Sequence, residues 1–115
     1  MIVIANTTPT ISFQVTDEND AAVDISGVAE IEISLRQGIT QPYPVLVTKT
    51  KTGGEVTVSG TSQNICSATF QQEDTIDLVR GQAWVQCRIK ANSGEVLSEL
   101  TESVWIGESL SKEVL

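Results

Sequence analysis

Along most of the chain, apolar and polar residues alternate with a period of two, which puts the apolar set on one side of an extended strand. In residues 10–16, Ile11, Phe13 and Val15 fall on one side and Ser12, Gln14 and Thr16 on the other. A polar turn, Asp17-Glu18-Asn19-Asp20, and a short extended piece, Ala22-Val23-Asp24-Ile25, follow. Residues 29–36 alternate most cleanly, with Ile31, Ile33 and Leu35 toward a core and Glu30, Glu32, Ser34 and Arg36 toward water. A helix would mix these two sets on one face.

The loop at 37–44 carries Gly38, Pro42 and Pro44, and the Val- and Thr-rich residues 45–51 read as a strand near a sheet edge because prolines flank it. Gly53-Gly54 predicts a two-residue hairpin returning as residues 55–59. Residues 65–70 place Cys66, Ala68 and Phe70 on one face, and Gln71 to Thr75 predict a single helical turn. In residues 82–91, Ala83, Val85, Cys87, Ile89 and Ala91 face inward and Trp84, Gln86, Arg88 and Lys90 outward. Asn92-Ser93-Gly94 turns the chain into residues 95–106. There Leu100, Glu102, Val104 and Ile106 share a side, and Glu102 leaves two assignments open. Either a bulge changes the face, or the core side is Thr101, Ser103 and Trp105. Seven to eight short strands with regular turn signals predict an all-β chain, a two-sheet antiparallel sandwich, with a barrel as the alternative.

The length of 115 residues fits a single domain spanning 1–115. A chain this size buries roughly 65% of its unfolded surface, enough for one core without metal or disulfide staples. Fifteen acidic residues against seven basic ones give a net charge of −8, and the basic residues are scattered. Such a surface repels phosphate backbones and anionic lipid, so neither nucleic acid nor a membrane is an expected partner. No stretch approaches the roughly 20 apolar residues of a membrane span. The N-terminal apolar run is short and lacks basic residues, which reads as no signal peptide and predicts folding in the cytoplasm. Cys66 and Cys87 are then expected as free thiols, acting as small buried hydrophobes, with a disulfide conceivable only if their strands are neighbours.

The absence of histidine removes Ser-His-Asp and Cys-His nucleophile pairs and histidine-based metal sites. No glycine-rich phosphate loop is present. Glu73, Asp74 and Asp77, and Asp17, Glu18, Asp20 and Asp24, are the carboxylate clusters. Both fall in turns, where such residues serve local hydrogen bonds. A calcium loop starting at Asp17 would need glycine where Ala22 stands. The expectation is a non-enzymatic protein with no catalytic residues, metal or cofactor. The candidate contact residues are Trp84, on an outer strand face, Tyr43, in the proline loop, and the continuous apolar run Ile2, Val3 and Ile4. Trp84 either covers an open end of the sandwich or forms a contact surface for sugar or protein. Residues 1–6 are either a strand added to a sheet of the chain itself or one that pairs with a neighbouring subunit, and residues 109–115 read as a tail.

Several segments taken in order carry a resemblance: Phe13-Gln14-Val15, Val23-Asp24-Ile25-Ser26-Gly27, Ile31 to Gln37, Phe70 to Thr75, and Gly81 to Arg88. Together they resemble small structural proteins of phages and prophages of Gram-positive bacteria, and are similar to the immunoglobulin-like N-terminal domain of phage baseplate upper proteins. The resemblance spans roughly residues 10–106. It implies an immunoglobulin-like sandwich in a virion tail, baseplate or neck, made in the host cytoplasm, whose partners are other phage structural proteins or copies of itself. It supplies no catalytic residues. The immunoglobulin cysteine pair is missing, since Cys66 and Cys87 stand too close in sequence for it. The Gln-Glu-Asp-Thr turn would be the crossing between sheets, with Asp74 or Thr75 as its cap. A carbohydrate-binding module using Trp84 and Tyr43 is the alternative reading.

Overall fold

The alternating segments become eight strands and one helical turn in the computed structural model, which describes residues 2–38 and 45–107. The strands are β1 (Ile2–Ile4), β2 (Thr10–Gln14), β3 (Glu30–Arg36), β4 (Val45–Thr50), β5 (Val56–Ser59), β6 (Ile65–Thr69), β7 (Gly81–Lys90) and β8 (Val96–Gly107). The turn α1 (Gln72–Thr75) stands between β6 and β7. A five-stranded sheet in the order β1-β8-β7-β3-β4 faces a three-stranded sheet in the order β2-β6-β5. This is an immunoglobulin-like sandwich. All pairings are antiparallel except that of β1 with β8, which is parallel.

The core is the set of inward-facing residues that the alternation picks out. Ile31, Ile33, Leu35, Val85, Cys87 and Ile106 are fully buried from one sheet, and Ile11, Cys66, Ala68 and Phe70 meet them from the other side. Burying a side chain such as Phe or Ile contributes about 2 kcal/mol. The face of β8 is settled by Val104 and Ile106, which are buried. Glu102 lies on that same side, opposite Val85, and is nevertheless exposed. Three strands cannot cover five, so the inner side of β8 runs past the edge of the smaller sheet there. No change of face is needed, and the register shift falls instead at Ile89/Lys90.

Four expectations need correction. The Gly53-Gly54 turn closes through Gly54 N–H to Lys51 O (3.0 Å) and Glu55 N–H to Thr50 O (2.9 Å), but it does not make a hairpin. β4 pairs with β3 and β5 with β6, so the turn carries the chain from one sheet to the other. Residues 22–25 form no named strand, although Ala22 bridges Thr16, Val23 N–H donates to Val15 O (3.2 Å) and Ile25 N–H to Gln63 O (2.9 Å). Ser34 is buried on the outer side of β3, where neighbouring strands on both flanks cover so small a side chain. Finally, Cys66 and Cys87 do face each other across the two sheets, with their sulfurs 3.5 Å apart. Their strands are consecutive and lie inside their respective sheets, so the short crossing through α1 is enough to bring them together.

α1 begins with a capping box. The Asp74 carboxylate accepts from Gln71 N–H at 2.7 Å, and the Gln71 side chain in return accepts an orphan amide of the first turn. Thr75 has a different task from capping: it is fully buried, its hydroxyl donates to Thr7 O (2.7 Å) and accepts from Thr7 N–H (3.0 Å). This ties the segment after β1 to the crossing. Gly81 opens β7 at φ 133°, a conformation that a side chain would strain.

Candidate contact surface on the five-stranded sheet

The outer face of the large sheet is built from the residues that alternate with the core set. Its rows follow from the register. Arg36, Trp84 and Ser103 stand side by side across β3, β7 and β8, and the next row toward the end places Gln82 beside Trp105. Trp84 and Trp105 are therefore diagonal neighbours on adjacent strands, a spacing of roughly 7–8 Å that aromatic side chains bridge. Trp105 is 49% exposed, whereas Trp84 is half-buried among its neighbours. Both tryptophans of the chain thus lie at one end of one face.

That end is held by Gln37. Its side-chain amide donates to Val79 O (2.8 Å), and its Oε1 accepts from Val79 N–H (3.0 Å). The pair of bonds imitates a step of β-ladder and pins the segment before β7 to the end of β3. The side chain of Val79 is left 65% exposed at this end of the sheet. Val45, opposite Arg36 on the edge strand, is also exposed. The other end of the face is charged: Arg88 lies 3.5 Å from the Glu99 carboxylate, which also accepts from Gln86 (2.9 Å). The face is therefore aromatic at one end and ionic at the other.

Of the residues singled out in sequence, Trp84 lies on the outer face rather than over an open end of the sandwich. Tyr43 lies outside the described residues. Val3 sits opposite Ile106 and is 2% exposed, so its side chain belongs to the core. The backbones of Ile2 and Ile4 pair with Trp105 and Gly107, which puts β1 inside the chain's own sheet and beside the aromatic end. Trp105 escaped sequence reasoning because the neighbouring Glu102 left the inward side of β8 undecided. Val79 carried no periodic signal, since it lies between elements.

Within the carboxylate cluster at 17–24, Asp17 and Asp24 serve local turns. Asp17 accepts from the N–H groups of Asn19 (2.8 Å) and Ala21 (3.0 Å), an Asx turn. Asp24 accepts from the N–H and O–H of Ser26, and these bonds hold its carboxyl below the ordinary value. Among the described residues, no three of His, Cys, Asp and Glu are grouped so as to hold a metal ion. No helix of the described residues is long and apolar enough to cross a membrane.

The outer face of the small sheet is a plane of hydroxyls. Thr10 pairs with Thr69 (2.8 Å) and Ser12 with Ser67 (2.7 Å), strand against strand. A polar depression of about 390 Å³ opens there between Thr57, Ser67 and the Lys49–Glu55 pair. Its hydroxyls largely satisfy one another.

No protein-family profile and no curated protein sequence matches the chain. Solved structures do. CopC from Methylosinus trichosporium OB3b is 10% identical, with a TM-score of 0.50 over 95% of this chain and 86% of that one. Murine CRIg is 9% identical, with a TM-score of 0.44 over 95% and 91%. The extracellular domain of the voltage-gated sodium channel beta4 subunit is 11% identical, with a TM-score of 0.41 over 96% and 91%. At such identities the likeness to CopC speaks for the fold alone.

Proposed function

We propose that this protein is a non-enzymatic structural component of a phage or prophage virion, in the tail, baseplate or neck. It works by protein–protein contact through the aromatic end of the five-stranded sheet. The observation that carries the contact is the diagonal pair Trp84 and Trp105, one half-buried and one half-exposed, with exposed Val45 opposite Arg36 in the Trp84 row. Interface centres are enriched in aromatic anchors of this kind, and a few of them dominate binding energy. The virion setting rests on the resemblance of residues 10–106, to which a sandwich offering an aromatic contact face is suited.

The test is light scattering of the wild-type chain and of Trp105→Ala, together with capture of the other structural proteins encoded in the same phage cluster. Assembly or capture that is lost in Trp105→Ala, with unchanged circular dichroism, supports the reading. A monomer at high concentration that captures none of those proteins overturns it. Carbohydrate binding is favoured by one specific feature, the presence of two tryptophans on one outer sheet face. It predicts a tryptophan fluorescence change on a glycan panel that disappears in Trp84→Ala, and an unresponsive panel removes it.

A further inference from the structure

Cys66 and Cys87 occupy the middle of the molecule. Cys66 lies in the central strand of the small sheet and Cys87 in the central strand of the five-stranded sheet, between β3 and β8. Both are fully buried, and their sulfurs stand 3.5 Å apart across the gap between the sheets. They are the only cysteines of the chain. Val58 pairs with Cys66, and Ile33 pairs with Cys87, so each thiol is held by a paired strand and the two point at one another.

We infer that Cys66 and Cys87 are a built site for an inter-sheet disulfide, formed by exchange with a small-molecule disulfide such as oxidised glutathione. A disulfide brings two sulfurs to about 2.05 Å. The remaining contraction is shared between two side chains and two sheets that already face each other. The chemistry balances in two exchanges. The Cys66 thiolate attacks one sulfur of oxidised glutathione, forms a mixed disulfide and releases one glutathione thiolate. The Cys87 thiolate then attacks the Cys66 sulfur, closes the protein disulfide and releases the second glutathione. Two protein thiols are oxidised, one glutathione disulfide is reduced to two thiols, and the two protons of the cysteines pass to the glutathiones.

The exchange balances equally with Cys87 attacking first, since in the contact between the two sulfurs either can be the donor. Neither sulfur is open to a reagent in the folded state, so exchange proceeds while the chain folds or opens. The link joins strands that α1 alone connects, and it constrains the unfolded chain across a 21-residue separation.

The experiment refolds the reduced full-length chain from urea, with reduced glutathione alone or with an excess of oxidised glutathione, and measures intact mass, alkylation and melting. The oxidised sample is expected as a monomer that has lost two hydrogens, takes up no alkylating agent and melts roughly 10 °C higher. Trypsin is expected to leave the peptides 52–80 and 81–88 joined until reduction. Folded reduced protein in the same buffer is expected to convert only as fast as it opens. Monomer that remains fully alkylatable, carries glutathione on one cysteine, or links only between chains overturns the inference. Cys87→Ala, and Cys66→Ser as a second variant, keep the test independent of one substitution: either one, if folded, must lose the oxidant-dependent shift in melting.

Discussion

Lys49 Nζ lies 2.9 Å from Asp74 Oδ2, joining the inward face of an edge strand to the crossing between the two sheets. Lys49 pairs with Ile33 and so points to the core side of β4, at the flank where the large sheet overhangs the small one. Its ammonium lies over the Phe70 ring, 6.0 Å from the ring centre, and the Glu55 carboxylate lies 3.6 Å away. An inward charge on an edge strand discourages pairing with a second sheet. Asp74→Ala removes both the ion pair and the cap of α1. It is expected to lower stability by about 2 kcal/mol in urea denaturation. Lys49→Met retains the stem's packing and is expected to cost less than about 1 kcal/mol, while increasing association at high concentration as the edge loses its guard.

The same contact fixes the alkaline limb of stability. The Asp74 hydrogen bond raises the Lys49 ammonium above its ordinary 10.5, against the opposing effect of burial. A raised folded value means that the contribution is complete below 10.5 and is lost as pH climbs through the raised one. On the acid side, burial pushes Glu30 up, but hydrogen bonds from Thr52 and Ile31 outweigh it and hold the carboxyl below its ordinary 4.5. Its contribution is therefore complete above 4.5 and fades as pH falls through the lowered value. Melting temperature against pH is expected to be flat between these limits. Asp74→Ala should flatten the alkaline fall and leave the acid one.

Thr75→Val replaces the hydroxyl that bonds both the N–H and the carbonyl of Thr7 by a methyl of similar volume in a fully buried place. The loss is expected at about 2 kcal/mol, because polar groups buried beside it lose their partner. Thr75→Ser keeps the hydroxyl and is expected to cost clearly less. Equal losses in the two variants would mean that packing, not these bonds, is what Thr75 supplies.

The sandwich was legible because alternation writes the core directly: Ile31, Ile33, Leu35, Val85 and Cys87 are apolar at every second place and all are buried. What stayed hidden depends on which sheet a strand joins. The Gly53-Gly54 turn reads as a hairpin locally, and only long-range pairing decides that β4 and β5 separate. The cysteine contact was hidden for the same reason, since separation along the chain says nothing about facing sheets. Lys49 reads as an exposed residue by type, and its inward direction follows from register with Ile33. The aromatic surface was half legible: Trp84 declared its side through Val85 and Cys87, but Trp105 did not, because the exposed Glu102 occupies a core-side place at an uncovered flank.

The N-terminal segment separates folding from contact. Val3 and Ala5 are both buried, Val3 lies opposite Ile106, and Ala5 N–H donates to Gly107 O at 2.9 Å. Removing residues 1–5 is therefore expected to cost about 3 kcal/mol and lower the melting temperature by roughly 10 °C. It also strips the last pairing from the outer edge of β8, which invites non-specific strand association. A Val3→Ala substitution isolates the packing part and is expected to cost about 2 kcal/mol while leaving any assembly intact below its melting point. Trp105→Ala is expected to do the reverse, changing stability by less than about 1 kcal/mol, since the side chain is half exposed, while removing the contact. Measuring melting and solution mass on both variants crosses the two effects. If Val3→Ala disassembles the protein at a temperature where it is still folded, β1 is part of the contact after all, and the surface lies at the sheet edge rather than on its aromatic face.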